Sequence, residues 1–345
     1  MTTTEEPVKG VVAAGQGRSA IATLGRRVPA AYLPVLVTGG LFVAMFVAGG
    51  LRYEGFASGQ VVLNVFIDNA FLLVVAVGMT FVILTGGIDL SVGAVVALST
   101  MVSASLMAGP GWPPYLVIPL VLLIGSGLGL VMGYIVHAFE IQPFIVTLAG
   151  MFLARGLCYT IGTDSIKIED AAFTAFAQER IDLFADLWIS PSVVVAMVVV
   201  LAAAYVLHYT RLGRAVYATG GSEQSALLMG LPVGRTKIAV YTISGFCSAL
   251  GGVLLSFYML SGYGLHAVGM ELDAIAAVVI GGTLLTGGSG LLFGTVLGVL
   301  VLGLIQTVIS FEGTLSSWWT KIFIGLLLFL FILLQRLFTA RRRSR

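Results

Sequence analysis

Between residues 30 and 337 the sequence is a succession of long apolar runs separated by short polar breaks, and each run has the length of a bilayer crossing. A helix rising 1.5 Å per residue needs roughly 20 residues to span a hydrocarbon core of about 30 Å, and in lipid a helix satisfies its own backbone groups. About ten such runs are expected: 30–50, 60–85, 92–108, 114–136, 143–161, 191–208, 236–258, 271–287, 290–310 and 317–337. With 58% hydrophobic and 10% charged residues and a mean hydropathy of +1.05, a soluble domain is excluded. The expected fold is an all-α polytopic membrane bundle with broken helices.

The basic residues orient it. Lys9, Arg18, Arg26 and Arg27 precede the first run, Arg211, Arg214, Arg235 and Lys237 bracket the loop after the sixth, and Arg336, Arg341, Arg342, Arg343 and Arg345 close the chain. An even number of crossings gathers all three groups on one side, which the positive-inside rule makes cytoplasmic. Residues 1–30 lack a continuous apolar core of signal-peptide type and read as a disordered cytoplasmic tail. The membrane domain then covers 31–337, and a basic cytoplasmic tail covers 338–345.

Two loops exceed the length of a turn. In 162–190, facing the outside, Phe173, Phe176, Ala177, Phe184, Leu187 and Trp188 recur at helical spacing opposite Glu179, Asp182 and Asp186, which predicts an amphipathic helix serving as a lid or as a docking surface. In 209–236, on the cytoplasmic side, Ser222 can cap a short helix with Glu223 in its first turn and Gly230 beyond its end. A helix this short is unstable alone, so it is held by the bundle, by a partner, or by both.

No nucleotide-binding G-x-x-x-x-G-K-[ST], no H-E-x-x-H and no nucleophile paired with a base occurs, so no enzymatic activity, metal site or bound cofactor is expected. His137, His208 and His266 read as interfacial residues, Cys158 and Cys247 as buried hydrophobes, and Trp318 and Trp319 as an interfacial belt.

Polar residues within spans mark candidate pathway positions, since ionisable groups in hydrocarbon face a cavity or a partner. Asn64 and Asp68 share a helix face, with Asn69 adjacent. Arg155 lies roughly 9 Å and Asp68 roughly 12 Å from the outer end of their spans, so an ion pair between them is a hypothesis to set against the leading reading of separate snorkelling or separate pathway roles. Glu271 and Asp273 open another apolar run, where a helix N-terminus favours an acid. In TGGIDLS, Gly86 and Gly87 free the backbone from one helix at its cytoplasmic end, and Asp89 or Ser91 can cap the next; a gating carboxylate is the alternative reading of Asp89. Glycines at 125, 129 and 133, and at 290, 294 and 298, have the spacing of close helix contacts. LTGGIDLSVGAVV from Leu84 and LTGGSGLLFGTVL from Leu285 share local turn chemistry on one membrane face.

Four segments, GMTFVILTGGIDLSVGAVVAL, FIVTLAGMFLARGL, LGRAVYATGGSEQSALLMG and ELDAIAAVVIGGTLLTGG, resemble the ribose-type permeases of ABC sugar importers, relatives of the branched-chain amino acid permeases, over essentially the whole of 34–337. The closing stretch FEGTLSSWWTKIFIGLLLFLFILLQR looks like the branch that serves galactofuranose uptake. The resemblance implies a type II ABC importer arrangement in the bacterial inner membrane, with both termini cytoplasmic. Its partners would be an ATP-binding subunit that binds the ATP, a second permease chain, identical or not, an extracytoplasmic sugar-binding protein and membrane lipid, with no nucleic acid. By the same resemblance Ser222, Glu223, Leu227, Met229 and Gly230 form the coupling helix. Two other readings stay open: a branched-chain amino acid permease, and an ion-coupled secondary sugar transporter with broken helices of its own.

Overall fold

The computed structural model describes residues 32–184, 187–314, 316 and 318–343. The expected tail 1–30 with its four basic residues lies outside them, as do Asp186 and Arg345. The chain forms α1 (Leu33–Arg52), α2 (Gly59–Leu84), α3 (Val92–Ala108), α4 (Pro114–Ala138) and α5 (Pro143–Ile161), then strand β1 (Ile166–Lys167), the short helix α6 (Ala171–Gln178) and strands β2 (Ile181–Phe184) and β3 (Leu187–Ile189). It continues through α7 (Pro191–Tyr209), α8 (Arg211–Gly221), α9 (Glu223–Leu228), α10 (Val233–Met259), strand β4 (Ser261–Gly262), α11 (Met270–Ile280), α12 (Leu292–Glu312) and α13 (Trp318–Arg343).

Helix starts follow local chemistry. Proline stands at the head of α4, α5 and α7, where its missing N–H is no loss. Ser58, Asp170, Thr210 and Ser222 each accept a hydrogen bond from an amide of the first turn of α2, α6, α8 and α9. Each of the ten expected crossings contains a helix, and the protein is an all-α polytopic membrane protein. Seven helices, α1, α2, α4, α5, α7, α10 and α12, are long and apolar enough to cross; α3 and the first part of α13 are shorter apolar helices.

The eighth crossing corrects the sequence expectation. The run 271–287 is helical only to Ile280, because Gly281 and Gly282 turn the chain out of the helix, Gly282 at a φ of 95°. Helix α11, of 11 residues, therefore covers only roughly half a bilayer at 1.5 Å per residue. Non-helical chain precedes it: β4 pairs antiparallel with β1, Ile166 opposite Gly262, and residues 263–269 descend from there to Met270. Loop 162–190 is the second correction. Among the described residues of this loop only 171–178 are helical; β2 and β3 pair antiparallel as the arms of a hairpin, Asp182 opposite Trp188 and Ile181 opposite Ile189. The sequence IDLF…LWI has the alternation of a strand as well as a helix-compatible spacing, and pairing with a neighbouring strand settles between them.

Helix α10 is the axis of the bundle. Gly125 and Gly129 of α4 bring that helix against Gly245, and Gly133 brings it to Ile238. Gly251 and Gly252 of α10 admit Val75 of α2 and Ser99 of α3. Between α11 and α12, Gly294 lies on Gly281 and Gly298 on Ala277. Lipid gives little hydrophobic drive between helices, so this close backbone approach supplies the packing. Most of the surface of α2, α10 and α12 is buried within the protein, whereas α1, α5 and α7 show apolar side chains outward, as lipid-facing helices do. Cys158 and Cys247 are free and buried.

Candidate functional site

The two ends of the bundle carry different features, here called the α9 end and the hairpin end. At the α9 end three identical tripeptides meet: Thr85-Gly86-Gly87 after α2, Thr219-Gly220-Gly221 closing α8, and Thr286-Gly287-Gly288 before α12. The Gly288 amide donates to the Leu84 carbonyl at 2.9 Å. A methyl group on Gly220 would be driven into that same carbonyl, and one on Gly288 would stand 2.7 Å from the Gly221 nitrogen. Gly86, Gly287 and Gly288 have φ of 83°, 82° and 73°, conformations that suit glycine. The two loops and the last turn of α8 therefore touch as bare backbone. Tyr217 adds a bond from α8 to the Gly290 carbonyl, 3.0 Å.

Helix α9 follows this junction directly. Ser222 caps it, and Lys237 of α10 holds Glu223 at 2.6 Å. Ala226 is fully buried beneath, while Leu227, Leu228 and Met229 are 56%, 90% and 67% exposed. Three successive large apolar side chains lie open on a helix fixed from below, and Gly230 ends it with a φ of 76°. The three side chains form an exposed apolar patch at the α9 end.

Asp89 is fully buried. Its Oδ1 accepts from the Ser91 amide at 2.9 Å and the Ser91 hydroxyl at 2.6 Å, and its Oδ2 accepts from Ser244 of α10 at 2.7 Å. The carboxylate shapes the turn into α3 and ties that turn to α10. Ser244 lies seven residues along α10 from Lys237, roughly 10 Å inward. Asp89 is thus deeper than the end of the span at which the sequence reading set it. Thr147 adds a bond to the Ile88 carbonyl, 3.3 Å.

Arg155 does not pair with Asp68. Its Nη1 donates to the carbonyls of Gly264, 2.6 Å, and His266, 2.8 Å, both in the non-helical stretch before α11. Backbone oxygens freed by unwinding find their donor in a guanidinium, as buried carbonyls require. Among the described residues the ion pairs are Lys167–Glu169, Lys237–Glu223 and Lys321–Asp273. At the foot of this stretch Glu271 abuts Gly93, so the N-termini of α3 and α11 meet, and Glu271 Oε2 is buried with no hydrogen-bond partner.

Of the remaining polar candidates, Asn69 and Asp273 line a cavity, whereas Asn64 and Asp68 lie beside a second one without lining it. One, of about 260 Å³, is lined by Asn69 of α2, Asp273 of α11, Gln306 and Ser310 of α12, and Thr320 and Lys321 of α13; Lys321 bonds both Asp273 oxygens, at 2.8 and 2.6 Å. The other, of about 570 Å³, lies under the hairpin between α2, α6, α7 and α10. Tyr258 on its wall reaches Asp68 at 3.4 Å, and Gln60 binds Asn64 and both backbone groups of Trp188. Asn64 is thus tied through Gln60 to the hairpin and Asp68 to Tyr258 of α10, whereas Asn69 turns towards Gly303 of α12. Sequence reasoning missed Tyr258, Gln306 and Ser244, and named Trp188 only as part of the loop helix. Nothing in local spacing marks these roles; Thr-Gly-Gly recurs verbatim, but it also occurs as Thr38-Gly39-Gly40 inside α1, so recurrence alone did not single out the junction.

Comparison with known proteins supplies the context. The family described as branched-chain amino acid transport system, permease component, matches residues 61–332. The inner membrane ABC transporter permease protein YjfF of Escherichia coli K12 is 47% identical over 88% of this chain and 92% of its own length. The fructose import permease protein FruG of Bifidobacterium longum is 43% identical over 88% and 91%, and the ribose import permease protein RbsC of Escherichia coli K12 is 38% identical over 79% and 84%. No solved structure matches the chain.

Proposed function

Since the chain belongs to the family of branched-chain amino acid transport system permease components, we propose that it is the membrane-spanning subunit of an ATP-driven importer whose cargo is a monosaccharide. The observation that carries the ATP-driven part is α9, with Leu227, Leu228 and Met229 exposed on a capped helix anchored by the Lys237–Glu223 pair. A separate ATP-binding chain docks there, and Ser222, Glu223, Leu227, Met229 and Gly230 are its contact segment. Arg211, Arg214, Arg235 and Lys237 stand at the same end, so that end and both termini are cytoplasmic.

Nucleotide-driven movement of α9 passes through the glycine junction to the ends of α2 and α12, because backbone in direct contact leaves no side chain to absorb the displacement. The pathway uses the polar groups of the opposite half, Asn64, Asp68, Asn69 and Asp273. Asp89 and Arg155 serve it by holding the two breaks in shape, and Glu271 by lining the meeting point of α3 and α11. A sugar cargo is favoured over an amino acid by relatives named for fructose and ribose import. The closing stretch favours galactofuranose among the sugars. A second permease chain and an extracytoplasmic binding protein complete the machine.

Uptake of labelled sugar into vesicles, with and without the ATP-binding subunit, tests the reading. Accumulation is expected only with the subunit and ATP; accumulation that survives its removal and collapses with an ion gradient would establish the secondary-transporter alternative.

A further inference from the structure

The cavity under the β2–β3 hairpin, about 570 Å³, falls within the range of about 300–1,000 Å³ usual for small-molecule sites. We propose that it is a receiving site for a neutral polyhydroxylated ring, the monosaccharide of the reading above, on which this inference rests.

The walls have the composition such a ring requires. Trp188 and Tyr258 line the cavity with aromatic rings on which the C–H side of a sugar can pack, and the Arg180 guanidinium lies over one face of Trp188, 4.4 Å from its ring centroid. Arg180 can only donate hydrogen bonds, Glu179 when ionised can only accept, and the hydroxyls of Ser190 and Ser192 do both. Sugar hydroxyls are themselves donor and acceptor at once and match that mixture. A branched aliphatic side chain would cover these groups without answering them, at a cost. Ser190 Oγ is already buried with no partner, and a ligand hydroxyl would supply one.

The site is also held in place. Gln60 accepts from the Trp188 amide at 3.1 Å and donates to its carbonyl at 3.2 Å, so α2 fixes the hairpin strand that carries the tryptophan. Tyr258 belongs to the last turn of α10, the helix against which the broken segments pack. In the 260 Å³ cavity, by contrast, Lys321 and Asp273 already bond each other. The hairpin cavity lies at the end opposite α9, where a sugar released outside would first meet the protein.

Trp188 makes the site readable. The assembled transporter in nanodiscs is titrated with D-ribose, D-fructose, D-allose, D-galactose and L-leucine, and intrinsic fluorescence is compared between wild type and Trp188→Phe; uptake by the same preparations is measured in parallel. Expected is a saturable fluorescence change with a sugar that is also taken up, absent from Trp188→Phe. In Tyr258→Ala, which keeps the reporter, half-saturation should rise about fivefold, as loss of one aromatic face implies. A preparation that takes up sugar without any Trp188-dependent change, and whose Tyr258→Ala variant takes it up with unaltered half-saturation, overturns the site and leaves the importer reading intact. Uptake of and response to leucine alone overturns the sugar cargo and this ligand class together.

Discussion

The α9 end and the hairpin end solve the same problem, the joining of helix ends that lipid cannot satisfy, with opposite materials. At the α9 end, the loops at 85–87 and 286–288 meet the last turn of α8, 219–221, as backbone, with no room for a Cβ at Gly220 or Gly288. At the hairpin end the joints are made by side chains, the Arg155 guanidinium on two carbonyls and Gln60 on the Trp188 backbone, and cavities remain between them. A backbone joint has few alternative arrangements and transmits displacement. A side-chain joint can re-pack around a guest. The difference matches an input surface at one end and a cargo surface at the other.

The contrast breaks most sharply at Gly220. Gly220→Val forces branched carbon into the Leu84 carbonyl and should destabilise the protein by about 3 kcal/mol or more, the upper range for overpacking; thermal unfolding of the purified chain reads this, and a melting temperature equal to wild type would show that the junction has slack. Arg155→Ala is the largest effect expected at the hairpin end, about 2–3 kcal/mol for freeing two buried carbonyls. Arg155→Lys, which can still donate, should recover part of it in the same melt.

Asp89→Asn sharpens the comparison at intermediate size. The amide keeps an acceptor for Ser91 but turns a donor towards Ser244, so a loss of about 1–2 kcal/mol is expected, with uptake lowered in proportion to folded protein. Folded but inactive Asp89→Asn would instead make the carboxylate a gate. The smallest effect is expected beside the largest: a Cβ on Gly221 meets nothing within 4 Å. Gly221→Ala should therefore change stability by no more than about 0.5 kcal/mol, as unencumbered surface substitutions do. If Gly221→Ala and Gly220→Val were equally harmful, the harm would come from helix chemistry and not from the junction.

Much of the frame was legible beforehand because it is local. Apolar run length anticipated the seven helices long enough to cross and two shorter apolar ones, the Ser222 cap and its short helix followed from four residues of sequence, and glycines at 125, 129, 133, 294 and 298 announced close helix contacts. What failed was also local in origin. The helix expected across 169–188 becomes a hairpin after Gln178, since a spacing compatible with both periods leaves the choice to strand pairing. The Asp68–Arg155 pair failed because equal depth in two spans says nothing about which helix faces which.

The amino-acid sequence by itself determined that this protein is a bundle of lipid-spanning helices, where each begins, and which of its loops carries a capped helix at a basic end; those features depend on backbone satisfaction within three or four residues, which lipid enforces everywhere. Only the tertiary structure decided that three Thr-Gly-Gly segments share one junction, that Arg155 serves the carbonyls of Gly264 and His266, and that Asn64 is tied to the hairpin and Asp68 to Tyr258 while Asn69 turns to α12. Those outcomes join residues far apart in the chain, and they follow from which helices can approach closely enough to pack.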